Sequence, residues 1–375
     1  MRFTFDRDVM LKEIAIAQEI ITKKDVGTII SNIYISASEN TLFIKATDLK
    51  VNFSTQIPVQ VLEEGATTVY CDKFMGILNN LPSGEIEFNQ DSKSDDEQTS
   101  VTVIIRPVGK KIKFQMRSMS QDKFPEFDAD DSASYFEIPS KDLKDMIAQT
   151  IFSVSTDEQR FFMTGVFFEK SEDNLNLVST DGRRLAFVSK KLLAGISDFN
   201  SAIVHPKILS IVLKHAPEEG NIAMAFVDKM VFFKFGNYRF GSVLLEGQFP
   251  KYERVIPQNQ SYSFQVGKED LVSALKRVAL MVDKKAGRIY FNISDGVLQI
   301  TSQQSDMGSA DEEIPCQYAG DNFVIAFNYH YIEEPLRYIQ AERITFEFTS
   351  EMKAVTMHPE PAEDYFHIVM PMQRE

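Results

Sequence analysis

The sequence predicts an α+β protein of three tandem domains, each mostly strand with two helices, and three observations carry that reading. A length of 375 residues, against roughly 100–200 per domain, makes a chain of two or three domains. The tetrapeptide Phe124-Pro125-Glu126-Phe127 recurs as Phe249-Pro250-Lys251-Tyr252, 125 residues on, one third of the chain. Each third then carries the same apolar markers in the same order.

Each unit opens with a short alternating strand that runs into an amphipathic helix. Phe3-Thr4-Phe5 precedes the pair Met10 and Ile14, Phe136-Glu137-Ile138 precedes Leu143 and Ile147, and Phe264-Gln265-Val266 precedes Leu271 and Leu275. A strand follows at Leu42 and Ile44, Leu175 and Leu177, Leu298 and Ile300. Ala46-Thr47-Asp48 matches Ser179-Thr180-Asp181, 133 residues later, while the third unit has lost the aspartate and reads Thr301-Ser302-Gln303. A further strand at Val69, Ile203 and Val324 leads into a second helix, and a last shared strand passes Ile86, Ile222 and Ile344. Domains over 1–129, 130–257 and 258–375 are expected, with linkers near Glu126 to Ser134 and Glu253 to Ser261, stacked as an arc or solenoid. The wholly polar run Asp91 to Ser100 reads as an exposed hairpin loop.

Composition excludes several classes. Forty Lys and Arg against 54 Asp and Glu give a net charge of -14, which is no histone-like polycation. Cys71 and Cys316 alone make neither a disulfide framework nor a zinc site, and they fit small core residues of a reducing, cytoplasmic protein. No apolar run has signal-peptide or membrane-spanning length, so secretion and insertion are not expected, and Asn52-Phe53-Ser54 is a chance sequon. The histidines His205, His215, His330, His358 and His367 lack metal-ligand spacing, and no phosphate loop, dinucleotide fingerprint or nucleophile elbow appears. No cofactor, metal or catalytic residue is therefore expected. His205, before Pro206, reads as a helix cap. Thr180-Asp181-Gly182 reads first as a tight turn after a strand; a hydrolase using Asp181 is the alternative.

Charge placement suggests two surfaces. Lys24, Lys73, Lys144, Lys207, Lys276 and Arg277 lie on related helices off the apolar stripe, and convergent bases are what sequence-independent phosphate contact requires. Lys110-Lys111-Ile112-Lys113-Phe114-Gln115-Met116-Arg117 reads as a basic strand with Phe114 and Met116 on one face, and Asp311-Glu312-Glu313-Ile314 as its acidic counterpart. Complementary ends would let two chains join head to tail.

Several segments resemble the bacterial sliding clamps, the beta subunits of the replicative DNA polymerase, and they span the whole length. They are Met1-Arg2-Phe3-Thr4, Ala46-Thr47-Asp48-Leu49, Ser179-Thr180-Asp181-Gly182-Arg183-Arg184-Leu185-Ala186, Gly247-Gln248-Phe249-Pro250-Lys251-Tyr252-Glu253-Arg254-Val255-Ile256-Pro257, Phe327-Asn328 and Val369-Met370-Pro371-Met372. The resemblance implies three clamp domains with antiparallel sheets outside and two helices inside, closing as a head-to-tail dimer into a six-domain ring around duplex DNA. It implies a processivity factor without catalysis, partnered by double-stranded DNA and, through short linear peptides, by the polymerase, the clamp loader and repair proteins. A clamp-like peptide-binding scaffold that is not loaded onto DNA is the second alternative.

Carried over residue by residue, the peptide pocket comprises Met163, Thr180, Gly182, Arg183, Arg184, Leu185, Pro250, Arg254, Val255, Asn328, Tyr331, Met352, Ile368, Val369, Met370, Pro371 and Met372. Methionine and aliphatic side chains repack around differing Leu or Phe anchors, and arginines engage polar peptide atoms at the rim. At the subunit interface, Phe114 and Met116 should meet Leu280 and Met281 of a second chain, with Lys110, Lys111 and Lys113 facing Glu312 and Glu313. Arg183 departs from the family's usual histidine, and Lys285 stands near a position where the family often has an aromatic.

Overall fold

The computed structural model describes residues 1–21, 27–91, 101–127, 133–192, 195, 197–283, 285–306 and 308–373. Six helices are described: α1 (Arg7–Ile20), α2 (Cys71–Asn80), α3 (Ser140–Ala148), α4 (Pro206–His215), α5 (Lys268–Val278) and α6 (Tyr329–Leu336). They fall two to each predicted domain, and the paired strands are antiparallel throughout the registers that follow.

Local chemistry sets the helix starts. Asp6 ends the first strand, and its Oδ1 accepts from the Asp8 and Val9 amides at 2.9 and 3.0 Å, so two of α1's orphan N–H groups are satisfied. The α4 start is capped by His205, whose Nδ1 accepts from the Lys207 amide at 3.0 Å. Asn328 does the same for α6, accepting from the His330 amide at 3.0 Å.

The chain packs as two compact units that do not follow the thirds of the sequence. One comprises Met1–Glu137, Lys214–Pro217 and Asn221–Val243, the other Ile138–Leu213, Glu218–Gly220 and Leu244–Glu375. In the first unit a five-stranded sheet runs in the order Gln60–Glu63, Arg2–Asp6, Glu85–Asp91, Thr102–Pro107, Phe114–Arg117. Phe3 stacks on Phe88 at 4.8 Å and Phe74 of α2 meets Phe5 edge-on, so strand alternation and helix stripe fill one core. In the same unit, strand Tyr238–Val243 pairs with Val51–Pro58, placing Phe240 opposite Phe53. Residues far into the second third thus complete a sheet begun in the first. Local periodicity cannot reveal such a pairing.

The second unit contains a twelve-stranded sheet. Strands Ala202–Val204, Val166–Ser171, Asn174–Thr180 and Arg184–Lys191 lead to Tyr365–Val369, where Leu185 lies opposite Ile368. The order continues through Val355–Glu360, Arg343–Phe348, Tyr262–Gly267, Asp311–Gln317, Val297–Ser302 and Arg288–Ser294 to Phe323–Asn328. The pairing of Arg184–Lys191 with Tyr365–Val369 brings the Thr180 turn beside the last strand. That juxtaposition builds the site.

One expectation changes, and two others fall partly outside the described residues. The predicted basic strand is a strand only over Phe114–Arg117, because Val108 to Lys113 forms the hairpin connection, with Gly109 at φ +75°. The predicted loop between Asp91 and Ser100 lies outside the described residues beyond Asp91, while its flanking strands pair Asp91 with Thr102 as a hairpin requires. The first predicted linker is likewise described only in part. Cys71 and Cys316 are both buried, as small core side chains are, and no helix among the described residues is long and apolar enough to cross a membrane.

Candidate functional site

The site grows from one turn. Strand Asn174–Thr180 ends at Asp181, whose Oδ1 accepts from the Arg183 and Arg184 amides at 2.8 and 3.1 Å, while the Gly182 amide donates to Thr180 Oγ1 at 3.0 Å. Gly182 takes φ +86°, a conformation that favours glycine, and a Cβ there would stand 3.0 Å from Arg160 Nη1, a tight contact that the arginine would have to relieve. Asp181 Oδ2 accepts from Arg184 Nε at 3.1 Å. Its carboxylate is committed to the turn and to Arg184, which is a structural use of the residue that could have been a hydrolase's aspartate.

Arg184 is the hub. Its side chain is only 10% exposed. Nη2 donates to the Phe152 carbonyl at 2.7 Å, Nη1 pairs with Glu334 of α6, and the guanidinium lies 4.5 Å from the Tyr331 ring centre and 5.7 Å from that of Phe152. A planar, permanently charged fork suits this role because it meets two carboxylates, a carbonyl and two rings at once. Behind it, Phe152 packs against His367 at 5.2 Å and stacks on Tyr338 at 5.4 Å, and Tyr365 Oη lies 2.6 Å from His367 Nε2. Burial, with Arg184 adding to it, pushes the His367 pKa down from 6.5 to about 3, so the imidazole is neutral at physiological pH. Burial and the Asp181 charge push the Tyr331 hydroxyl up.

In front of the turn lies an apolar cavity of about 170 Å³, lined by Met163, Thr180, Gly182, Arg183, Arg184, Leu185, Pro250, Lys251, Tyr252, Val255, Ile368 and Met370. Its floor is a packed cluster of Val178, Leu185, Ile203, Phe249, Tyr252 and Ile368. Phe167 stacks on Phe249 at 4.7 Å, and Tyr252 donates to Glu169 Oε2 at 2.7 Å. Burial first, then that bond, push the Tyr252 hydroxyl well above its usual range. A rigid apolar floor under an exposed mouth can hold an aliphatic or aromatic anchor and discriminate by shape.

Ten of the predicted pocket residues line this cavity, and Lys251 and Tyr252 join them. The repeated tetrapeptide was the available signal for those two. Tyr331 instead faces Arg184, and Asn328 caps α6. Val369 is buried in its strand, and the Met370 amide donates to the Arg183 carbonyl at 2.8 Å, which turns Met370 toward the cavity. The Met372 amide is held by the Ala326 carbonyl at 2.7 Å, so Pro371 and Met372 tie down the tail without lining the cavity. Arg254 is exposed on a short helical turn, and Met352 is 52% exposed on a turn after Arg343–Phe348. Arg184 is half-buried and lines the cavity while engaged by Asp181 and Glu334; the exposed cations of the lining are Arg183 and Lys251.

The other predicted residues are spread over both units. Lys24 lies outside the described residues. Lys73 and Lys276 are exposed on α2 and α5, and Lys207 is half-exposed on α4. Lys144 pairs with Glu218, and Arg277 donates from Nε to Glu312 Oε2 at 2.8 Å, so both carry carboxylate partners in their own chain. These pairings reach across 74 and 35 residues, beyond what a helix pattern conveys. Phe114 and Met116 are half-buried on one face of their short strand, and Leu280 is 79% exposed beside half-buried Met281. Lys110, Lys111 and Lys113 are exposed ahead of that strand, and so is Glu313, whereas Glu312 is engaged by Arg277.

Antiparallel sheets in repeated units, with an apolar cavity bordered by exposed cations, fit the clamp class of protein. The chain belongs to the DNA polymerase III beta subunit family: residues 1–128 match its N-terminal domain, 137–251 its central domain and 253–373 its C-terminal domain. It is 43% identical over 379 aligned residues to the beta sliding clamp of Treponema pallidum, covering both chains completely, and 25% identical over full length to that of Escherichia coli. Its fold matches the DNA polymerase III beta subunit of Pseudomonas aeruginosa with a TM-score of 0.91 at 25% identity, and the sliding clamp of Bacillus subtilis with 0.92 at 23%, each over complete chains.

Proposed function

We propose that this chain acts as a sliding clamp with three domains over 1–129, 130–257 and 258–375, closing as a head-to-tail dimer around duplex DNA and tethering a replicative polymerase without catalysing a reaction. The observation that carries the reading is the cavity at the Thr180–Arg184 turn, apolar inside with Arg183 and Lys251 at its mouth. A short partner peptide would place a Leu or Phe anchor in it and its polar backbone against the rim. The polymerase, clamp loader and repair proteins would take turns at this one pocket, in the cytoplasm. Topological enclosure needs no tight DNA contact, so exposed Lys73 and Lys276, with Lys207 and Lys24, would supply weak, salt-sensitive attraction that permits sliding.

The subunit interface would join Phe114 and Met116 to Leu280 and Met281, with Lys110, Lys111 and Lys113 facing Glu313 and the Arg277-shared Glu312. Reversing the charge of Lys111 and Lys113 together should shift sedimentation toward monomer; an unchanged dimer would remove that pairing. The decisive experiment loads the protein with an active clamp loader and ATP onto closed-circular or linearised DNA. Retention on the circle with loss from the linear form is expected, and equal retention on both would overturn encirclement.

A further inference from the structure

The tetrapeptide that borders the peptide cavity also occurs in the first repeat, and there it borders a different cavity. The Ala46-Thr47-Asp48 and Ser179-Thr180-Asp181 match sets the correspondence along the preceding strands: Tyr34 answers to Phe167 and Lys45 to Val178. The tetrapeptides set the rest, with Phe124 answering to Phe249, Glu126 to Lys251 and Phe127 to Tyr252.

In the second repeat these positions are solid. Phe167 and Phe249 stack within 4° of parallel, and Val178 is fully buried beneath Tyr252 in the cavity floor. In the first repeat the equivalent rings, Tyr34 and Phe124, stand 5.6 Å apart and tilted by 36°. Lys45 replaces the core valine, with Nζ 5.5 Å from the Phe127 ring centre and donating to the Phe127 carbonyl at 3.4 Å. A cavity of about 390 Å³ results, lined by Tyr34, Lys45, Gln121, Asp122, Phe124, Pro125, Glu126 and Phe127. A lysine cannot fill a valine's place in a ring-stacked core without bringing its charge toward water, so that one position holds the floor open.

We propose that this first-repeat cavity docks a short partner peptide through a lysine or arginine side chain. Three rings, two exposed carboxylates and an amide oxygen surround the space, the combination that recognises a cation by ring faces and charge together. Asp122 also accepts from Ser120 Oγ at 2.9 Å, which fixes its carboxylate in place. Lys45 is the cation among the lining residues, and its amine is turned onto Phe127, so the incoming charge enters from the Asp122 and Glu126 side. At the tetrapeptide's third position the two cavities carry opposite charges, Glu126 here and Lys251 there, so basic and acidic segments would sort between them.

The inference rests on reading the Thr180–Arg184 cavity as a peptide site, and the test separates the two. Fluorescence anisotropy of the full chain would use two labelled decapeptides, one with a leucine flanked by lysines and one with Leu-Phe anchors and acidic flanks. The basic peptide should bind saturably, unaffected by excess Leu-Phe peptide. Asp122→Lys with Glu126→Lys should weaken it at least tenfold and leave the Leu-Phe peptide unchanged. Thermal melting should show the doubly reversed variant folded. No saturable binding of the basic peptide, its displacement by the Leu-Phe peptide, or indifference to the charge reversals overturns the inference. Failure of the Leu-Phe peptide alone overturns only the reading of the Thr180–Arg184 cavity.

Discussion

The first and second repeats make the same turn and use it differently. Asp48 Oδ1 accepts from the Lys50 and Val51 amides at 3.0 and 2.7 Å, and Thr47 Oγ1 accepts from the Leu49 amide at 2.9 Å. That is bond for bond the arrangement of Thr180, Asp181 and their following amides. Yet the residue in Arg184's place is Val51, 1% exposed in a strand, and the residue in Gly182's place is Leu49, at φ +74° and 60% exposed. The turn is scaffold in both repeats. What the second repeat adds is one half-buried arginine and the glycine that lets Arg160 and Met163 approach.

Breaking that difference should cost most at Arg184. Arg184→Ala strands Glu334 and Asp181 beside two aromatic rings, and removing one partner of a mostly buried ion pair costs about 3 kcal/mol. Denaturant unfolding should show this together with at least a tenfold loss of Leu-Phe peptide affinity. A loss of affinity without a loss of stability would mean that the arginine contacts peptide and does not organise the turn. Gly182→Leu, which copies the first repeat into the second, should cost about 1–2 kcal/mol from the positive φ, and should block the cavity in the same binding assay.

The histidine behind Arg184 sharpens the comparison by pH. His367 is held near 3 when folded and titrates at 6.5 when unfolded, so its contribution is present above pH 6.5. It is lost as pH falls toward 3, because the unfolded chain gains the proton first. The slope is about 1.4 kcal/mol per pH unit. Urea unfolding at pH 7, 6 and 5 should show it, and His367→Gln should flatten it; an equal slope in the variant would assign the dependence to other groups. The smallest effect belongs to the reciprocal swap. Leu49→Gly should stabilise by up to about 1 kcal/mol, since a non-glycine residue at positive φ is strained and little burial is lost.

Much of this was legible because repetition multiplies weak signals. The strands at Leu42, Leu175 and Leu298, the helix pairs at Met10 and Ile14 and their counterparts, and the cap at His205 all depend on neighbours within a few residues. The turn at Thr180 was readable for the same reason. What escaped the sequence depends on distance: the pairing of Tyr238–Val243 with Val51–Pro58, the capture of Lys144 by Glu218, and the capture of Glu312 by Arg277. Arg184 was placed at the site, but its ion pair with Glu334 reaches across 150 residues.

The strand Phe114–Arg117 is the outermost of its five-stranded sheet, and among the described residues no strand lies on its outer side. An open edge with half-buried Phe114 and Met116 invites any strand that passes. When a second copy occupies it, folding and association become one equilibrium, and the melting temperature rises with protein concentration.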